Sequence, residues 1–289
     1  MSMFFRYILL LIFPILACSG EKQREKHSET IGTTSGFISL HPAITETIFY
    51  IGAQDKLVGR SDYCTNPSHA EKLPNFGTSF TPNLEAIAKE KPLGILADQS
   101  IAAQNDSLKQ ITAVHELAWL TKEDLEQSIA YLGKLLDAEE KSEALVSRIK
   151  KELAAPAKHQ NDQKVLMVML GSDINSGQIW YIRKDSLHGT ALSAAGFQNA
   201  APDIKATPSM SIEELISINP DIILLMGTAD IDEKRTKDVI SFMKQFSQIK
   251  AARDNRIARV QMHNIHGIGP GILELPQKII ETIESLPKK

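Results

Sequence analysis

The sequence is poor in the features that mark specialised chemistry. Only two cysteines, Cys18 and Cys64, occur in 289 residues, so at most one disulfide is available and the core must hold the fold. Aromatic residues make up just 6% of the chain. Positive charge is not in excess: 32 Lys and Arg stand against 35 Asp and Glu, for a net charge of -3. Binding nucleic acid by neutralising phosphates is thereby excluded as a main function. There is no GxSxG elbow, no GxxxxGK[ST] phosphate loop and no HExxH helix. Gly267-Ile268-Gly269-Pro270-Gly271 is glycine-rich but lacks the strand, helix and acidic partner of a dinucleotide site. What is present is ordinary globular composition, 43% hydrophobic and 23% charged. The length suits one large domain or two of roughly 100–150 residues.

The first residues read as an address. Arg6 precedes an apolar run from Tyr7 to Ala17, well short of the ~20 residues a membrane-crossing helix needs. The run has the anatomy of a secretory signal and ends in Ile15-Leu16-Ala17-Cys18. That ending resembles a bacterial lipobox, with Cys18 as the lipidated residue. The expected layout is a signal peptide over 1–17 and a flexible polar tether over 18–36, leaving Cys64 without a partner.

From residue 37 short apolar runs alternate with helical stretches, which predicts an α/β lobe with a mainly parallel sheet over 37–136. A charged stretch, Ala138–Ala155, lacks Gly and Pro and predicts a connecting helix of about 20 residues within 137–158. A second α/β lobe follows over 159–289. Its strands are expected near Lys164–Leu170, Asp221–Met226 and Ile257–Gln261, with a final helix over Pro270–Leu286. A weak internal repeat supports the division. Leu84–Leu96 lies over Ile212–Leu224 at an offset of 128 residues without a gap. Each copy has a short helix with Glu near its start and a Pro that stops it ahead of an apolar strand.

Candidate chemistry is sparse. Cys64 as a nucleophile needs a base, and His69 is the nearest histidine in sequence; an idle thiol is the simpler reading. His263 and His266 form the one close histidine pair and suit either metal ligation or solvent. The His41 ring either enters a cleft or caps the first helix.

The segment from Ser39 to Ala53 (SLHPAITETIFYIGA) resembles the opening motif of periplasmic binding proteins for iron-siderophores, haem and cobalamin. The likeness continues through Asp55–Gly59, Tyr63-Cys64, Pro67, Leu73-Pro74, Gly77 and Pro82–Ile87, then more loosely to about residue 286. It implies two α/β lobes with mostly parallel sheets joined by a single long backbone helix, the class III substrate-binding architecture. It also implies a non-enzymatic job: capture of a metal chelate in the interlobe cleft and delivery to an ABC permease dimer with its ATPase. The protein is then a monomer outside the cytoplasmic membrane, held there by lipid, with no cofactor of its own. In this family one acidic residue per lobe meets permease arginines, and Glu85 and Glu213 match those positions. Tyr63 matches an aromatic contact of the cobalamin binders, whereas Thr207 stands where those have Trp. Haem binders place an iron-ligating Tyr where this chain has Phe80, which leaves His41, His263 or His266 as axial ligands. Trp180 and Tyr181 are expected near the cleft, and Arg183 and Lys184 are placed to meet propionates or an anionic siderophore. The alternative is an extracytoplasmic metal-dependent enzyme or metallochaperone using His263 and His266.

Overall fold

A computed structural model describes residues 35–156, 162–170, 177–202, 207–227, 233–262, 265 and 269–288, with backbone alone at 102–104. Cys18, His263 and His266 lie outside the described residues.

The first lobe runs β1 (Phe37–Ser39), α1 (Pro42–Tyr50), β2 (Leu57–Arg60), α2 (Leu84–Glu90), β3 (Gly94–Asp98), α3 (Ala102–Lys109), β4 (Val114–Leu117) and α4 (Lys122–Leu135). Its sheet order is β2-β1-β3-β4, parallel throughout. Helix α5 (Glu139–Glu152) leads to the second lobe. There follow β5 (Lys164–Met169), β6 (Ile179–Trp180), α6 (Leu187–Ala194), β7 (Gln198–Asn199), β8 (Ser209–Met210) and α7 (Ile212–Ile218). The chain ends with β9 (Ile222–Gly227), α8 (Glu233–Lys244), α9 (Lys250–Arg253), β10 (Ile257–Gln261), a 3₁₀ turn (Pro270–Glu274) and α10 (Leu275–Glu284). The second sheet, β10-β9-β5-β7, is also parallel, and β6 pairs antiparallel with β8.

Strand parity explains how two lobes share one interior. Successive side chains of a strand face opposite ways, and a parallel sheet covered by helices needs apolar residues on both faces. In β5, Val165 and Met167 enter one core while Leu166 and Val168 enter another. In β9, Ile222, Leu224 and Met226 divide from Ile223 and Leu225 in the same manner. In the first lobe, Phe37 and Leu96 oppose Ile38 and Ile95. The inner core is continuous across the molecule. It joins Ile44 and Ile48 of α1, Leu125 and Ile129 of α4, Leu145 and Ile149 of α5, Met167 and Leu224 of the second sheet, and Ile272 and Leu275. Each such buried side chain contributes about 1.5–3 kcal/mol of transfer free energy.

The connecting helix is shorter than its sequence suggests, with 14 residues in place of about 20. A break at Asp137, whose φ is +57°, separates it from α4, and at its far end Leu153 is already the C-cap, ahead of Pro156. The helices α4 and α5 pack closely because Gly133 offers no side chain: a Cβ there falls 2.0 Å from the Ser142 hydroxyl oxygen. The expected final helix also divides, because its first five residues form the 3₁₀ turn before α10 begins.

The repeat is reproduced in detail. α2 and α7 are each seven residues long and begin 128 positions apart, as do β3 and β9. Asn83 caps α2 and Ser211 caps α7, each accepting a backbone N–H three residues on. Both helices end on a left-handed residue, Lys91 at φ +55° and Asn219 at φ +47°.

Candidate functional site

A cavity of about 590 Å³ opens between the lobes, within the range of small-molecule sites. It forms where the carboxyl ends of parallel strands leave room, the place at which α/β sheets bind ligands. Asp98 ends β3, Trp119 follows β4, and His41 lies between β1 and α1. The opposite wall is Leu187 and His188, at the start of α6.

The first wall is built around His41. This residue is the N-cap of α1, with Pro42 at N1, yet its side chain makes no capping hydrogen bond. The ring lies against the Trp119 indole, centroids 6.2 Å apart and nearly parallel. His41 Nε2 is 3.4 Å from Asp98 Oδ2. Burial pushes the imidazole below its ordinary pKa, and the Asp98 carboxylate only partly offsets this. The ring is therefore neutral at pH 7. His41 Nδ1 and Trp119 Nε1 are both buried without a hydrogen-bond partner, polar groups that a bound molecule can satisfy. Asp98 is fixed by its turn, accepting the Ser100 N–H at 2.8 Å. Asp124 also lines the cavity but spends its carboxylate on the capping box of α4 with Thr121.

On the second wall, His188 Nε2 lies 2.5 Å from the Ile265 carbonyl oxygen, so Nε2 carries the proton and donates it. Neither lysine nor arginine is among the described residues lining the cavity. Among the described lining residues the fixed charges are the carboxylates of Asp98 and Asp124.

Of the residues singled out from sequence, His41 lines this cavity and the others take varied places. Tyr63 and Phe80 are 61% and 63% exposed on first-lobe loops and are not among its lining residues. Trp180, on β6, is 39% exposed. Tyr181 is 1% exposed and packs in the second lobe's outer core with Leu166 and Met210, which corrects its expected place at the cleft. Adjacent residues of an extended chain face opposite ways, so Trp180 and Tyr181 cannot both point outward. The Arg183 guanidinium is held on both oxygens of Asp185, through Nε at 2.8 Å and through Nη2. Thr207 is exposed just before β8. Glu85 and Glu213 are exposed in the first turns of α2 and α7, and the Ser211 hydroxyl holds the Glu213 carboxyl below its usual range. Cys64 is buried against the Ser61 hydroxyl and the Ser39 carbonyl, with no imidazole among its hydrogen-bond partners. No group of three or more His, Cys, Asp and Glu suited to a metal occurs among the described residues.

Sequence reasoning passed over Asp98, Leu187 and His188, and left Trp119 without a place at the site. The ends of β3 and β4 were the available signal for Asp98 and Trp119, because ligand sites gather at the carboxyl edges of parallel strands. No comparable signal marked α6.

Two covered α/β sheets, a helical bridge and an interlobe cavity define a two-lobed ligand receptor of the class III type. The chain matches the family described as periplasmic binding protein over residues 38–261 and belongs to it. It is 26% identical over 258 residues to the uncharacterized ABC transporter substrate-binding lipoprotein YvrC of Bacillus subtilis, covering 85% of this chain and 79% of that one. It is 23% identical over 272 residues to the high-affinity heme uptake system protein IsdE of Staphylococcus aureus, covering 87% and 88%. The fold is shared with the periplasmic vitamin B12 binding protein BtuF of Vibrio cholerae, with a TM-score of 0.68, 18% identity and coverage of 86% and 96%. The protein is thus an extracytoplasmic substrate-binding protein of the ABC-transporter class rather than an enzyme.

Proposed function

We propose that this protein captures a metal chelate of the corrinoid, haem or ferric siderophore type in the interlobe cavity and hands it to an ABC permease. The observation that carries this reading is the cavity itself. It sets a neutral imidazole stacked on an indole, both with unpartnered buried nitrogens, opposite a second histidine. A flat, partly apolar chelate with hydrogen-bonding edges suits such walls. Among the three chelates, the walls favour a corrinoid. Its rim carries amides, which pair with carboxylates and imidazoles, whereas haem brings two propionates to a cavity whose described walls carry Asp98 and no cation. Arg183, four residues before Leu187, already holds Asp185.

Delivery uses Glu85 and Glu213. They are exposed, equivalent in the repeat and placed one on each lobe, which matches a two-fold permease presenting paired arginines. The Ile15–Cys18 segment supports a lipid anchor at Cys18, with the mature monomer tethered by residues 18–36. Lipidation is read directly by fatty-acid labelling that is lost in Cys18→Ala.

The test is tryptophan fluorescence of the purified protein titrated with cobalamin, hemin and ferric siderophores. Trp119 lies in the cavity wall, so the bound chelate quenches it. The expected result is saturable quenching that is strongest for cobalamin. Saturation by hemin first, with a Soret shift, reassigns the chelate. No saturable quenching by any of them removes the reading.

A further inference from the structure

Glu46 is an acid in a place that chelate capture, as described above, does not use. It belongs to α1, a helix whose neighbouring positions Ala43, Ile44, Thr47 and Ile48 are buried, and it is buried among them. One carboxyl oxygen, Oε2, accepts the backbone N–H of Gly269 at 2.8 Å and that of Gly271 at 3.3 Å. The other, Oε1, accepts the Asn66 side-chain amide at 2.7 Å. Two of the three donors belong to the second lobe. The contact is built for closeness: a Cβ on Gly271 falls 2.5 Å from Oε1, and one on Gly269 falls 2.7 Å from the Ala43 carbonyl oxygen. The 3₁₀ turn that begins here packs against α1, α5 and α6 together.

We propose that Glu46 is a positioning residue for the cavity, its carboxyl fixing the 3₁₀ turn of the second lobe against α1 of the first. It thereby sets the spacing between the wall bearing His41, at the head of α1, and the wall bearing Leu187 and His188, on α6. The proposal rests on the cavity being the chelate site.

The seam is sensitive to pH. Among the described residues, the ionisable groups facing Glu46 are Glu274 from the 3₁₀ turn, Tyr50 one turn along α1, and Arg148 of α5, which acts on Tyr50 and is engaged by Glu152. None of them bonds to the Glu46 carboxyl. Burial disfavours the ionised form and lifts Glu46 from 4.5 to about 7, against the three N–H donors, which favour that form. A seam that opens exposes Glu46 to water and returns it toward its ordinary value. The closed seam therefore binds the proton more tightly than the open one. The contribution to closure is full below about 4.5, declines as pH rises and is lost once pH passes about 7.

Amide hydrogen exchange of the full chain without ligand, read on Gly269–Glu274 against β9, tests this. Glu46→Leu removes the acceptor and should speed exchange there about tenfold, and should weaken binding of the chelate selected by fluorescence about tenfold. Glu46→Gln keeps the shape and an acceptor for both glycines. It should retain protection while abolishing the rise in wild-type opening between about pH 5.5 and 8.5. Unchanged exchange in Glu46→Leu, or a wild-type to Glu46→Gln ratio that stays flat with pH, overturns the seam. Faster exchange with unaltered chelate affinity overturns the positioning role. Should Glu46→Leu fail to fold, the Glu46→Gln comparison decides alone. Should no chelate bind the wild type, the capture reading fails while the exchange data still judge the seam.

Discussion

The two lobes are built alike where they make sheet and differently where they make the cavity. β1, β3 and β4 have β5, β9 and β10 as topological counterparts, and α2 with β3 matches α7 with β9 at a constant offset. The first lobe passes from β1 to α1 through two residues, Leu40 and His41, and that short step delivers His41 to the cavity and Glu46 to the seam. The second lobe places β6 between β5 and α6. Its wall accordingly begins with Leu187 and His188, and no acid matches Glu46 on α6. The scaffold is symmetric because each half must solve one packing problem. The site is asymmetric because the lobes reach it with different residues, His41, Asp98 and Trp119 from one and Leu187 and His188 from the other.

The sharpest way to break this comparison is at the docking pair. If the lobes engage the permease equivalently, Glu85→Ala and Glu213→Ala each lower uptake of labelled chelate by whole cells about tenfold. The two changes are far apart and multiply, so the double variant loses about a hundredfold. Chelate affinity of the purified protein is expected to stay unchanged in all three. Uptake equal to wild type in the double variant refutes the paired docking, and unequal single effects show that the halves are not used alike.

A smaller effect sharpens the same comparison at the helix ends. Lys91 and Asn219 hold equivalent left-handed positions, but only Asn219 spends its side chain there, Oδ1 accepting the Lys250 N–H at 2.8 Å. Lys91→Gly should stabilise the protein by roughly 0.5–1 kcal/mol, since glycine adopts this conformation without strain. Asn219→Gly should cost about 1 kcal/mol, the net worth of the lost hydrogen bond. Urea unfolding midpoints report both, and equal shifts of one sign would show that backbone conformation alone governs the two caps.

Much of the scaffold was legible because its determinants are local. Asn83, Ser211, Pro92 and Pro220 punctuate the two repeated helices within a few residues, and apolar runs of strand length mark β5 and β9. The cavity was not, because His41, Trp119 and His188 come together only through the fold. Tyr181 misled for lack of parity: an aromatic beside Trp180 is an obvious cleft candidate until the strand turns it inward. Glu46 carried a signal that was read only as part of a family motif. An acid among the apolar positions of PAITETIFY has to find partners, and here two of the three, the Gly269 and Gly271 N–H groups, lie more than 200 residues away. The shortened α5 shows the limit of counting: absence of Gly and Pro permits a helix but does not extend it past a break at Asp137.

The central claim is that one chelate touches both unlike walls at once. Hydrogen exchange with and without the quenching chelate tests it most directly. Slowed exchange is predicted at the head of α1, at the end of β3 and at the start of α6 together, with no change in α8. Protection confined to one lobe, or found only away from these three segments, would contradict the account.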